Sequence, residues 1–198
     1  MSGNSTTPGG APVPRPFRGG LVVLSGPSGS GKTSICSALL EDPRVDLSIS
    51  ATTRRPRGGE QHGREYWFHD RAEFDRMVAA DEFVEWAEVY GNCYGTLRRP
   101  LEAAAQRTDR LMVLDIDVQG AAQLRQRSIR HVSIFIAPPS SEVLEQRLTA
   151  RKTDAPKVIA ERLRWARIEL EQARLYDHVL VNDDLARTIA EARALLGL

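Results

Sequence analysis

Short, wholly apolar runs alternate with amphipathic stretches along most of the chain. Leu21-Val22-Val23-Leu24 is the first such run, and Ser25, Gly26 and Pro27 close it. A run without alternation predicts a strand buried on both faces, as strands of parallel sheets are. Leu111–Leu114, Val132–Ala137 and Val179–Val181 have the same character. Helical periodicity follows each run: from about Lys32 to Leu40, where Pro43 stops it, then Gln119–Gln126, Ser141–Ala150 and Leu185–Leu196. A further helix, from about Pro156 to Leu175, precedes the last strand. Strands separated by helices predict βαβ units: an α/β fold of three layers, with a parallel central sheet flanked by helices. There is no internal repeat.

Three segments break this rhythm. Residues 1–18 are rich in Ser, Thr, Gly and Pro and, after Met1, hold only Val13 and Phe17 as sizeable apolar side chains. Such a segment cannot bury enough surface to offset its ordering entropy, so a disordered tail is expected. Residues from about 50 to 98 are polar and rich in Arg and Gly, and carry Tyr66, Trp67, Phe68, Trp86, Tyr90 and Tyr94. They predict an inserted domain of mixed α+β type between two parts of the core, 19–49 and 99–198. The charged segment Arg151–Pro156 joins two helices and predicts a short lid, at about 147–162.

The 198 residues suffice for one well-cored domain with small insertions. A formal charge of +1 leaves no global footprint for nucleic acid, so any anion site must be a local cluster. The two cysteines, Cys36 and Cys93, stand in no metal or redox spacing. No apolar run approaches the roughly 18 residues of a membrane span, and the N-terminus lacks the apolar core of a secretory leader. A reducing, cytoplasmic setting is the expectation.

Chemistry enters at Gly26-Pro27-Ser28-Gly29-Ser30-Gly31-Lys32-Thr33. This is the phosphate-loop pattern, and it stands between a predicted strand and a predicted helix, as that pattern requires. Its glycines let successive N–H groups face one anion, and the helix N-terminus adds partial positive charge. Lys32 would reach the β- and γ-phosphates of a nucleoside triphosphate, and the Thr33 hydroxyl would ligate Mg²⁺. The loop alone does not choose between a switch, a motor, a small-molecule kinase and a binding module.

A second cationic cluster lies in the insertion. Thr52-Thr53-Arg54-Arg55-Pro56-Arg57-Gly58-Gly59-Glu60 is followed by Gly63, Tyr66 and Phe68. Arginine forks match phosphate oxygens in bidentate fashion, although a solvated basic loop would look the same. With both clusters present, the chain resembles the guanylate kinases from about Gly20 to its C-terminus. Further matches are Gly91-Asn92-Cys93-Tyr94-Gly95-Thr96, Leu114-Asp115-Ile116-Asp117 with Gln119-Gly120, Ala137-Pro138-Pro139-Ser140, and Val181-Asn182-Asp183-Asp184.

The resemblance implies a phosphate-loop fold and transfer of the γ-phosphoryl of ATP to GMP, with Mg²⁺ as cofactor. The implied partners are these small molecules, with no nucleic acid and no membrane. The insertion would bind GMP. Ser50, Arg54, Arg57 and Tyr66 would hold its phosphate, Glu85 and Thr96 would read guanine, and Tyr94 would complete the phosphate or base pocket. Asp117 would also face the guanine, and Asp115 would lie by the metal. Arg151 and Arg162, with Arg147 as a weaker candidate, would act from the lid on the transferring phosphates. Asn182 would lie near the adenine of ATP. Guanine offers two donors, N1–H and the 2-amino group, to a carboxylate such as Glu85, while its O6 needs a donor such as Thr96. Adenine presents the opposite pattern and would be rejected by roughly 10⁴-fold.

Bland readings exist for several of these residues: a surface helix carboxylate for Glu85, a turn residue for Thr96, a helix cap for Asp117. Departures from the family pattern are Cys93 for a frequent Tyr, expected to pack beside Tyr94, Ala51 for a Ser, and Lys152 for a Gly at the lid hinge. Cys36 is expected to be a buried apolar residue. The alternative function is a guanylate-kinase-like scaffold domain that binds phosphopeptides without turnover. An intact Lys32-Thr33 argues against it.

Overall fold

The structure is a computed structural model that describes residues 20–107, 109–150 and 156–198. The tail read at residues 1–18 lies outside the described residues. Nine strands and seven helices are described: β1 (Gly20–Ser25), α1 (Lys32–Leu39), β2 (Val45–Leu47), β3 (Ala51–Thr52), β4 (Trp67–Phe68), α2 (Arg71–Ala79), β5 (Phe83–Val89), β6 (Asn92–Leu97), α3 (Arg98–Ala105), β7 (Leu111–Asp115), α4 (Val118–Gln126), β8 (Val132–Ala137), α5 (Ser141–Ala150), α6 (Pro156–Glu171), β9 (His178–Val181) and α7 (Leu185–Leu196). The helix expected to run to Leu175 ends at Glu171, and a separate 3₁₀ turn covers Ala173–Leu175.

Five strands form a sheet in the order β2-β7-β1-β8-β9, and every pairing is parallel. β1 is central and carries the run Leu21–Leu24, buried on both sides. On one face Val22, Leu24, Val113, Ile134 and Ile136 pack on α1 and α7 through Ile35, Leu39 and Leu196. On the other, Leu21, Val23, Leu114 and Phe135 pack on Leu101, Ala121, Leu124 and Tyr176. Cys36 is buried in the first of these layers, and burial, with Asp115 nearby, pushes its thiol up to about 12. It behaves as the apolar residue expected.

A second, mixed sheet has the order β4-β3-β6-β5. Helix α2 covers one face through Phe74 and Met77, which meet Ala51, Phe83 and Cys93. Asp70 caps that helix, accepting from the Glu73 N–H at 2.7 Å. Cys93 is therefore part of this small core, facing away from Tyr94 rather than packing beside it, because neighbours on a strand alternate sides. The two sheets are tied by Gln123 of α4, whose amide donates to Trp86 O at 2.6 Å and accepts from Trp86 N–H at 3.2 Å. Among the described residues no helix is long and apolar enough to cross a membrane.

Candidate functional site

Phosphate chemistry is favoured where parallel strands end and their connections diverge to opposite sides. β1 is that strand: the chain leaves it toward β2 and returns on its other side as β8. The loop from Gly26 to Thr33 follows β1, and its tight course depends on missing side chains. A Cβ on Gly26 would stand 2.2 Å from the Ile136 carbonyl oxygen. Gly31, at φ +100°, is the N-cap of α1, and a Cβ there would stand 2.1 Å from Asn182 Nδ2. Lys32 Nζ donates to Gly26 O at 2.6 Å, folding its ammonium over the loop.

A cleft of about 350 Å³ opens above this loop. Gly26–Gly29 and Gly31–Ser34 form one wall, Asp115–Asp117 the floor, and Ser50, Tyr66, Glu85, Tyr90 and Tyr94 the opposite wall, with Glu169 of α6 at the side. The phosphate loop and most acceptor-side residues read from the sequence thus share one cavity.

Glu85 and Thr96 face each other across β5 and β6. Thr96 Oγ1 donates to Glu85 Oε1 at 2.5 Å, and the two residues are 4% and 0% exposed. Glu85 is on a strand, so the helix-surface reading does not apply. A bulge at Val84 sets its direction. Phe83 pairs with Leu97 but Glu85 with Thr96, so two residues oppose one. Val84 enters the main core while Glu85, Ala87 and Val89 turn to the cleft. Burial raises the Glu85 carboxyl to about 7; the Thr96 hydrogen bond lowers it and the Asp117 charge raises it. Room for this carboxylate comes from Gly120 of α4, where a Cβ would lie 2.3 Å from Glu85 Oε2.

Asp117 does two jobs. Its Oδ1 accepts from the Gly120 N–H at 2.9 Å as the N-cap of α4, and its side chain also lines the cleft. The helix cap and a position at the cleft are thus compatible in one side chain. Asp115 and Thr33 are exposed at the cleft floor and wall.

The arginines are placed differently from the tyrosines. Arg54 is gripped by Glu60 in a bidentate pair, at 2.9 and 2.8 Å, and lies over the Tyr66 ring at 5.3 Å. The Arg54 hydrogen bonds lower the Glu60 carboxyl from its ordinary value. Neither Arg54 nor Arg57 lines the cleft, and Arg57 is exposed. Tyr66 and Tyr94 stand at its wall, with ring centroids 6.0 Å apart. Arg162 of α6 donates to Ser28 Oγ at 3.4 Å, reaching the phosphate loop. Arg147 donates to Asn182 O at 2.8 Å. Arg151 lies outside the described residues. Asn182 is 4% exposed, and its amide donates to Ser30 O at 2.7 Å. Its side chain braces the phosphate loop, a role the sequence reading did not include.

Two contributors were missed from the sequence. Glu60 stood in a motif but without a partner assigned. Glu169 carried a signal in its spacing: it follows Arg162 by seven residues, two helical turns along one face. Burial raises its carboxyl to about 7, with Lys32 lowering it and Asp117 adding to the rise.

Comparison with known proteins gives the family. The guanylate kinase family model matches residues 18–197. The guanylate kinase of Geobacter sulfurreducens is 47% identical over 180 residues, covering 90% of this chain and 88% of that protein. That of Symbiobacterium thermophilum is 48% identical, covering 93% and 87%. A crystal structure of the guanylate kinase from Anaplasma phagocytophilum superposes with a TM-score of 0.75 at 35% identity, covering 91% of this chain and 86% of that one. The chain belongs to the guanylate kinase family of ATP:GMP phosphotransferases.

Proposed function

We propose that this member of the guanylate kinase family moves the γ-phosphoryl of ATP to GMP inside the 350 Å³ cleft, giving ADP and GDP. The observation that carries this reading is the single cavity lined both by the phosphate loop and by Glu85, which Thr96 holds from behind. The second sheet with α2 serves as the acceptor-binding unit, and the ends of α5 and α6 flank the lid.

The reaction needs positioning and charge neutralisation more than a protein nucleophile. The GMP phosphate oxygen attacks and is already ionised at neutral pH, so no general base is required. Lys32 and the loop N–H groups hold the donor phosphates, and Arg162 approaches them from α6; the same role is assigned to Arg151, which lies outside the described residues. Ser50, Tyr66 and Tyr94 line the acceptor phosphate pocket. Arg54 and Arg57 supply positive charge behind it; Glu60 and the Tyr66 ring fix the first of these. Asn182 keeps the loop in shape beneath the nucleotide and lies on the side where adenine is read.

The donors for Mg²⁺ are hard oxygens, the Thr33 hydroxyl and the Asp115 carboxylate, both exposed to the cleft. That set suits an ion that keeps several waters and takes the rest of its shell from phosphates. When bound, the ion would offset charge on the β- and γ-phosphates. A coupled ADP-release assay with Mg·ATP and GMP, AMP, CMP or UMP tests the reading. Turnover with GMP far above the other three is expected. Equal rates for AMP and GMP would remove the guanine-reading role of Glu85, and binding of GMP without turnover would favour a non-catalytic module.

A further inference from the structure

The tip of the β5–β6 hairpin stands at the cleft mouth. Val89 pairs with Asn92, leaving a two-residue turn at Tyr90 and Gly91 with φ of 50° and 75°. Two successive positive φ values mark a type I′ turn, whose first position favours Asn, Asp or Gly. Tyrosine is disfavoured there, because its Cβ crowds the following carbonyl oxygen. Packing does not explain the choice: Tyr90 is 49% exposed and is absent from the apolar clusters of both sheets. Asn92 Nδ2 donates to Tyr90 O at 3.2 Å, a bond to the main chain that any residue would accept.

The side chain instead faces the cleft that α6 borders on its other side. Tyr90 and Glu169 line the same cavity. The charged groups acting on its phenol are Glu169, Arg162 and Glu161, all from α6. Arg162 in turn touches Ser28 of the phosphate loop. A residue at a disfavoured φ is thus placed where the acceptor-side hairpin, the lid-side helix and the donor loop come together, and strain kept at such a position invites a functional explanation.

We propose that Tyr90 is a positioning residue, whose phenolic O–H donates across the cleft mouth to the Glu169 carboxylate and holds α6, with Arg162, in register with the acceptor wall. The proposal rests on the phosphotransfer reading above. A phenol suits the task because it satisfies a half-buried carboxylate without adding charge to a cleft that takes two anionic nucleotides. It also makes a single hydrogen bond, which can open for product release.

The test uses the full chain with Tyr90→Asn, Tyr90→Phe, Glu169→Gln and the double variant Tyr90→Phe/Glu169→Gln. Asparagine fits the type I′ turn, so Tyr90→Asn is expected to keep or raise the melting temperature. It should nonetheless lower kcat about tenfold while KM for ATP and GMP stays within about twofold. Tyr90→Phe should show most of that loss, placing it in the hydroxyl. The double variant should be no slower than the slower single variant, as expected of two residues sharing one interaction. Unchanged kcat in Tyr90→Asn, additive losses in the double variant, or a fall in melting temperature that parallels kcat would each overturn the proposal. Absence of GMP turnover in the wild-type chain would instead overturn the phosphotransfer reading and the latch together.

Discussion

The two banks of the cleft are built from different materials. The donor bank is main chain: a glycine-rich loop too tightly placed for a Cβ at Gly26 or Gly31, with Asn182 gripping its Ser30 carbonyl. The acceptor bank is side chains held by partners outside the cleft lining: Glu85 by Thr96, and Tyr66 under Arg54, which is itself paired with Glu60. Backbone donors read charge and shape whatever base is attached. On the proposed reading the buried Glu85–Thr96 pair reads identity, because the wrong base leaves Glu85 without a partner. The difference teaches where specificity can be changed. Changes on the donor bank should abolish transfer without altering which acceptor is chosen. Changes on the acceptor bank should alter the choice and leave the donor grip intact.

The largest effect expected of this division is in Lys32→Ala. Removing the ammonium folded over the loop should cost at least about 10²–10³-fold in kcat. GMP affinity by calorimetry should stay within about twofold, and a parallel loss of GMP binding would break the division. Next comes Gly120→Ala. Alanine is favoured over glycine in a helix by roughly 1 kcal/mol, which offsets part of the cost of displacing a buried side chain, so the chain should remain folded with a modest fall in melting temperature. Its Cβ would collide with Glu85 Oε2, and KM for GMP should rise by about tenfold or more with KM for ATP unchanged. The smallest effect is in pH. Guanine donors need the charged form of Glu85, which burial makes scarce below about 7. GMP affinity should therefore rise about tenfold between pH 6 and pH 8 through this group. The Glu85→Gln variant shares the titration of the GMP phosphate but lacks this component, so its slope should be shallower; equal slopes would assign the effect to the phosphate alone.

Legibility in the sequence followed the same division. The phosphate loop and the parallel strands were plain, because strands buried on both faces show unbroken apolar runs. The short edge strand β2 was not: Val45-Asp46-Leu47 is three residues with a carboxylate in the middle. Helix α3 opens with Arg98-Arg99-Pro100 and reads as the tail of the insertion. Within the insertion the alternation of β5 changes phase at the Val84 bulge, so no periodic reading could tell that Glu85 faces the cleft and Phe83 does not. Asn182 was visible as a motif residue, but its hold on Ser30 joins positions 152 residues apart. The pairing of Arg54 with Glu60 was local, yet arginines in a basic loop drew attention to phosphate rather than to the carboxylate beside them.

The division stands or falls most directly on one ratio, kcat/KM for GMP over kcat/KM for AMP, measured in the wild-type chain and in Glu85→Gln. A ratio of roughly 10⁴ in the wild type, falling by at least about tenfold in the variant, is the expected result. A ratio that is the same in both chains would contradict it.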